Sequence, residues 1–221
     1  MARYLVKAKA LFQHIPRTGG SWVEKAIDLC KIHRVGWLEK QPPWLPRKHA
    51  LLNHYYREQM AEVKFVFAFV RHPVAYYESV WKWLGKHGGD NIMRPAWSWH
   101  PHQTASRWYQ PDFDDWVFLM LENEPLWYTR LIEQYVGPRG GEFCNFIGRT
   151  EHLLEDFYEA MSSIGYDIEI HRSGLAALGK RNAIDQTIQW SDDLQTRVLK
   201  TEWAMIERFY TGTQQREPLW I

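Results

Sequence analysis

The chain has 221 residues, 45% of them hydrophobic and 24% charged, a balance that excludes a disordered segment and suits a well-filled globular domain. Its formal net charge of +1 excludes a global attraction to nucleic acid or an anionic membrane, so any anion site must be local. Cys30 and Cys144 are the only cysteines, which excludes a disulfide framework or a zinc knuckle, and no apolar run approaches the roughly 18–20 residues of a membrane span.

Lysines interrupt the N-terminal MARYLVKAKALFQH, and no small-residue cleavage site follows. No leader is expected, and a soluble, cytoplasmic protein is. Leu11–Ile15 reads as a short buried strand, and Ser21–Cys30 as a helix in which Trp22, Val23, Ala26, Ile27 and Cys30 recur at helical spacing. Ser21 with Glu24 has the capping-box pattern, and Thr18 offers a rival cap. QPPWLPR marks a loop. Val63–Val70 (VKFVFAFV) is the strongest strand of the chain, aromatic and β-branched, as a central parallel strand requires. Pro73 then fits the first position of a helix running to about Leu84.

Residues Gly85–Gln110 read as a long Trp/His-rich insertion. Helices are expected near Asp112–Glu122 and Leu126–Val136, the second stopped by Gly137-Pro138. Phe143–Ile147 reads as a strand, Thr150–Ile164 as a helix stopped by Gly165, and Ser191–Tyr210 as one long amphipathic helix. Strand–helix pairs with helical crossovers predict a single α/β domain over 1–221, its parallel sheet flanked by helices. In such sheets ligands sit beyond the carboxyl ends of the strands.

Two stretches fall there. Pro16-Arg17-Thr18-Gly19-Gly20-Ser21 joins the first strand to its helix. Glycines at a helix start let backbone N–H groups approach an anion, while Arg17, Thr18 and Ser21 add a cation and hydroxyl donors. A tight glycine turn with a helix cap explains the same residues. No Gly-Lys-Ser/Thr follows, so the stretch is not a Walker A loop. The second stretch is FAFVRHPVAYYESVW, with Arg71 at the strand end and Ser79 eight residues later in the helix.

The pair resembles the sulfotransferases that use 3′-phosphoadenosine 5′-phosphosulfate (PAPS), which carry a P-K-[ST]-G-[TG]-[ST] loop and an R-x-P-x-x-x-x-x-S segment. Lys48-His49-Ala50, FIGRTEHLLEDFYEAM, Lys180-Arg181-Asn182 and the final helix ending near ERFY are similar to segments of the carbohydrate-type members. The likeness touches most of the chain except Gly85–Gln110. It implies a P-loop-like sulfotransferase fold and transfer of a sulfonyl group from PAPS to a hydroxyl or amine, the acceptor being a saccharide or a small metabolite. The product is 3′-phosphoadenosine 5′-phosphate, and no metal is implied.

By the same resemblance the 17–21 loop, with Pro16, binds the 5′-phosphosulfate, and Arg71 with Ser79 selects the 3′-phosphate. Trp22 either stacks on adenine or begins the helix core. Arg17 stands where the family has Lys, so it acts by charge and hydrogen bonding rather than as an acid. His49 is the preferred general base, with His54 and His14 in reserve. Trp97, Trp99 and Trp108, with Arg94 and Arg107, either line an acceptor site or hold down a surface insertion. His100 and His102 lack the companions of a metal site. Two other classes compete: a P-loop-like kinase and a non-catalytic nucleotide-binding module.

Overall fold

The computed structural model describes residues 2–36, 51, 60–88, 101–179 and 187–211. A five-stranded sheet runs in the order β3-β1-β2-β4-β5, with β1 at Arg3–Leu5, β2 at Ala10–Gln13, β3 at Arg34–Gly36, β4 at Phe65–Val70 and β5 at Phe146–Arg149. The sheet is mixed, which corrects the expectation of a parallel one. β2, β4 and β5 are parallel neighbours, whereas β1 is antiparallel to both β2 and β3. The reason is local: a tight turn over residues 6–9 folds β1 straight back onto β2, a connection only an antiparallel pair allows.

Among the described residues the helices of five or more residues are α1 (Gly20–Leu29), α2 (Pro73–Lys86), α3 (Gln103–Arg107), α4 (Phe113–Asn123), α5 (Trp127–Val136), α6 (Leu153–Ser163), α7 (Arg172–Ala177), α8 (Asp192–Thr201) and α9 (Trp203–Tyr210). Pro73 takes the first position of α2, as expected, and the Asp112 side chain caps α4 by accepting from the Asp115 N–H at 3.0 Å. The long C-terminal helix is broken at Glu202. Its carboxylate is fully buried and accepts from the N–H groups of Tyr128 (3.2 Å) and Thr129 (2.9 Å) in the first turn of α5, and from the hydroxyls of Thr129 (2.6 Å) and Tyr77 (3.0 Å). Periodicity runs through this break, because the residue that interrupts the helix is itself core.

Alternate residues of β4 face opposite sides. Phe67 and Phe69 pack with α1 and α6 through Trp22, Val23, Ile27, Phe157 and Met161. Ala68 and Val70 pack with α2, α4, α5 and α8 through Tyr76, Tyr77, Trp116, Tyr128 and Val198. The helices that follow β2 and β4 therefore lie on opposite faces, the topology in which open α/β sheets place ligands beyond the carboxyl ends of the strands. The end of the Trp/His-rich insertion belongs to the core: His102, Ala105 and Ser106 are buried, and Trp116 Nε1 donates to the Ala105 carbonyl at 3.1 Å. Among the described residues no helix is long and apolar enough to cross a membrane.

Candidate functional site: an arginine-lined anion cradle

β2 is buried throughout, and the chain leaves it through His14, Ile15, Pro16 and Thr18, all buried as well. Thr18 Oγ1 donates to the Ile15 carbonyl at 3.1 Å and ties the loop onto itself. Arg17 (φ 65°) and Gly19 (φ 84°) both adopt left-handed backbone. For a residue with a side chain this costs about 1–2 kcal/mol, and such strain concentrates at working sites. Both glycines are required by their surroundings. A Cβ on Gly19 would meet Leu153 Cδ2 at 2.9 Å, and one on Gly20 would overlap the His14 imidazole at 2.2 Å.

The expected capping box is not formed. Gly19 is the N-cap of α1, no side chain caps the helix, and Ser21 lies inside it. Glu24 is committed elsewhere, 3.5 Å from His14 Nδ1 and 3.4 Å from Arg3 Nε. Burial disfavours its charge, yet the hydrogen bond and charge of His14 are among the influences that outweigh this and hold its pKa well below the carboxylate range. The His14 ring also stacks on Phe12, with centroids 5.7 Å apart. The helix hydrogen bonds begin with the N–H groups of Trp22 and Val23 on the Gly19 carbonyl. Those of Gly20 and Ser21 have no acceptor among the described residues, which suits the helix start to an anion.

The two sequence motifs meet here. Arg17 Nε donates to Ser79 Oγ at 2.9 Å, across 62 residues of chain, and Arg71 Nη1 donates to the Arg17 carbonyl at 3.4 Å. Ser79, expected beside Arg71, is thus held by Arg17. Arg71 Nε is buried with no partner. Among the described residues neither arginine pairs with a carboxylate; the ion pairs lie elsewhere. Burial and then the neighbouring Arg71 charge push the Arg17 pKa down to about 10. Arg17 stays charged at neutral pH, in a place that disfavours its charge until an anion arrives.

Several residues around the two arginines were not singled out by the motifs: Tyr76 lies within FAFVRHPVAYYESVW and Glu151 within FIGRTEHLLEDFYEAM, whereas Tyr128 lies in neither. Tyr128 OH accepts from the Arg71 N–H (3.1 Å) and donates to its carbonyl (2.6 Å), which fixes the end of β4. Tyr76 is fully buried, stacks on Tyr128 at 3.9 Å and lies 3.3 Å from His102 Nε2 through its hydroxyl. Burial raises its pKa even though the charges of Arg17 and Arg71 oppose this. Glu151 accepts from the His72 N–H at 2.8 Å and from Tyr210 OH at 3.0 Å. The one sequence signal for these residues was their position beside Arg71 and after β5.

Trp22 is 7% exposed and meets Phe157 edge-on at 5.6 Å, so its ring serves the core. Trp108 is partly buried against the core, and Arg107 is exposed. Lys48, His49, Ala50, His54, Arg94, Trp97, Trp99, His100 and Lys180-Arg181-Asn182, with the QPPWLPR loop, lie outside the described residues. Among the described residues no cluster of three or more His, Cys, Asp or Glu is placed to hold a metal. No family model matches the sequence, and no curated protein or solved structure matches the chain.

Proposed function

We propose that the chain is a sulfotransferase that takes PAPS as donor and a hydroxyl or amine compound as acceptor. The observation that carries the reading is the convergence of Arg17 and Arg71, from loops after two adjacent parallel strands, with no carboxylate paired to either among the described residues. Two half-buried cations beside an uncapped helix start suit a ligand whose anionic groups are fixed and multiple.

The 16–21 loop seats the 5′ end of the donor. Its free N–H groups and Arg17 face the oxygens on which charge grows as the sulfonyl group leaves, where preorganised donors are most effective. The donor supplies the sulfonyl group: its bond from sulfur to the 5′-phosphate oxygen breaks as the acceptor's oxygen or nitrogen bonds to sulfur, and the acceptor's proton passes to a base. His49 is the base that the resemblance assigns. Arg17 contributes charge and hydrogen bonds only, because its pKa of about 10 keeps it protonated at neutral pH.

The test is a turnover assay with PAPS and a panel of saccharide and small-metabolite acceptors, following release of 3′-phosphoadenosine 5′-phosphate. Acceptor-dependent release that falls in Arg17→Ala supports the reading. Tight binding without acceptor-dependent release points to the non-catalytic module, and phosphoryl transfer from ATP points to the kinase.

A further inference from the structure

Residues 149–151 run beside 70–72. Arg149 is in register with Val70, Thr150 Oγ1 donates to the Val70 carbonyl at 2.9 Å, and Glu151 Oε1 accepts from the His72 N–H at 2.8 Å. Adjacent strands lie about 4.8 Å apart, so Arg149 closes β5 next to the place where Arg71 leaves β4. The three parallel strands thus each deliver an arginine to the same edge of the sheet: Arg17, Arg71 and Arg149.

Arg149 shares a second property with Arg71. The Nε of each is buried without a hydrogen-bond partner. Arg149 forms a long ion pair with Asp156, 3.9 Å from Nε and beyond hydrogen-bond reach, and Asp156 Oδ2 accepts the Arg149 backbone N–H at 2.5 Å. The Arg149 side chain is 34% exposed, open enough to meet a ligand. A buried guanidinium N–H that lacks a hydrogen-bond acceptor is costly and calls for a partner. Ser79 Oγ accepts from Arg17 Nε and makes no hydrogen bond to Arg71 Nε.

We infer that Arg71 and Arg149 together hold the second anionic group of a ligand whose first is seated on the 16–21 loop. This rests on the nucleotide reading above and replaces Ser79 by Arg149 as the partner of Arg71. The ligand class is a compound with two separated anionic groups, the 3′,5′-bisphosphate of an adenine nucleoside being the one that reading supplies.

Calorimetric titration of the wild type, Arg149→Ala and Arg149→Lys with 3′-phosphoadenosine 5′-phosphate and with AMP tests it. Arg149→Ala should lose about tenfold or more in affinity for the bisphosphate and less than about twofold for AMP, with Arg149→Lys between. Unchanged bisphosphate affinity, or an equal loss for both nucleotides, overturns the inference. Phenylglyoxal labelling read by peptide mass mapping, with inorganic sulfate as the probe, tests the subsite without a nucleotide. Sulfate should protect Arg71 and Arg149 together. Unaltered labelling of Arg149 overturns the pairing. If the wild type does not distinguish the two nucleotides, the sulfonate-donor reading fails, and sulfate protection still decides the role of Arg149.

Discussion

At the scale of single residues, the site is a set of groups held against their own preference. Arg17 carries a left-handed backbone, sits beside a second cation and has its pKa lowered to about 10. Because the folded value lies below that of the free side chain, the charged form weakens the fold at neutral pH, and the penalty is relieved only above about pH 10 or by a bound anion. Arg17→Met, which keeps the apolar stem and removes the charge, should therefore leave the thermal midpoint of the free protein unchanged or raised while reducing stabilisation by sulfate. A large fall in the midpoint would show that Arg17 is structural instead. Arg71→Ala should weaken nucleotide binding by about 1.5–3 kcal/mol, roughly 10–150-fold, as read by calorimetry. Gly20→Ala forces a methyl into the His14 ring. Such overpacking costs about 1–3 kcal/mol and should lower the midpoint by roughly 2–10 °C in a scanning calorimeter.

At the scale of elements, the buried Glu202 carboxylate is the hinge of the helical layer. It breaks the C-terminal helix and serves as the missing cap of α5, whose N-cap, Leu126, provides no side-chain hydrogen bond. Glu202→Ala leaves two helix N–H groups and two hydroxyls without their acceptor. A loss of at least about 3 kcal/mol is expected from urea unfolding, with Glu202→Gln less damaging. Of the elements, β2, α1, β4 and α2 were legible, because unbroken apolar runs and Pro73 announce them. β1 was not, since lysines interrupt its short run and its place depends on the turn back onto β2. The Ser21–Glu24 pattern misled for a similar reason. A capping box is local, whereas Glu24 is drawn to His14 and Arg3 by tertiary packing. Within the site, Arg17, Arg71 and Ser79 were legible from spacing. The partner of Ser79 was not, because spacing along a chain does not state which of two arginines reaches a hydroxyl. Tyr128 comes from an element with no motif of its own, and Arg149 and Glu151 lie in FIGRTEHLLEDFYEAM, whose likeness assigned neither of them a role.

At the scale of the whole molecule, a near-neutral protein brings three arginines to the carboxyl ends of its parallel strands, two of which, Arg17 and Arg71, pair with no carboxylate among the described residues. A separate electrostatic element supports the fold. The Glu24 carboxyl has a folded pKa below its ordinary 4.5, so the unfolded chain binds the proton more readily, and the stabilisation is complete above about pH 4.5 and lost as pH falls further. Unfolding followed from pH 7 to pH 3 should show this loss in the wild type and a flatter profile in Glu24→Gln; parallel profiles would mean that other carboxylates dominate. The central claim is that the arginine-lined edge holds a 3′-phosphorylated nucleotide. Its most direct test is calorimetric titration of the purified protein with 3′-phosphoadenosine 5′-phosphate beside AMP, ADP and ATP. Tight binding that requires the 3′-phosphate is the expected result. No binding, or a preference for ATP, would contradict the claim and return the Gly19-Gly20 loop to a tight turn or to another nucleotide's cradle.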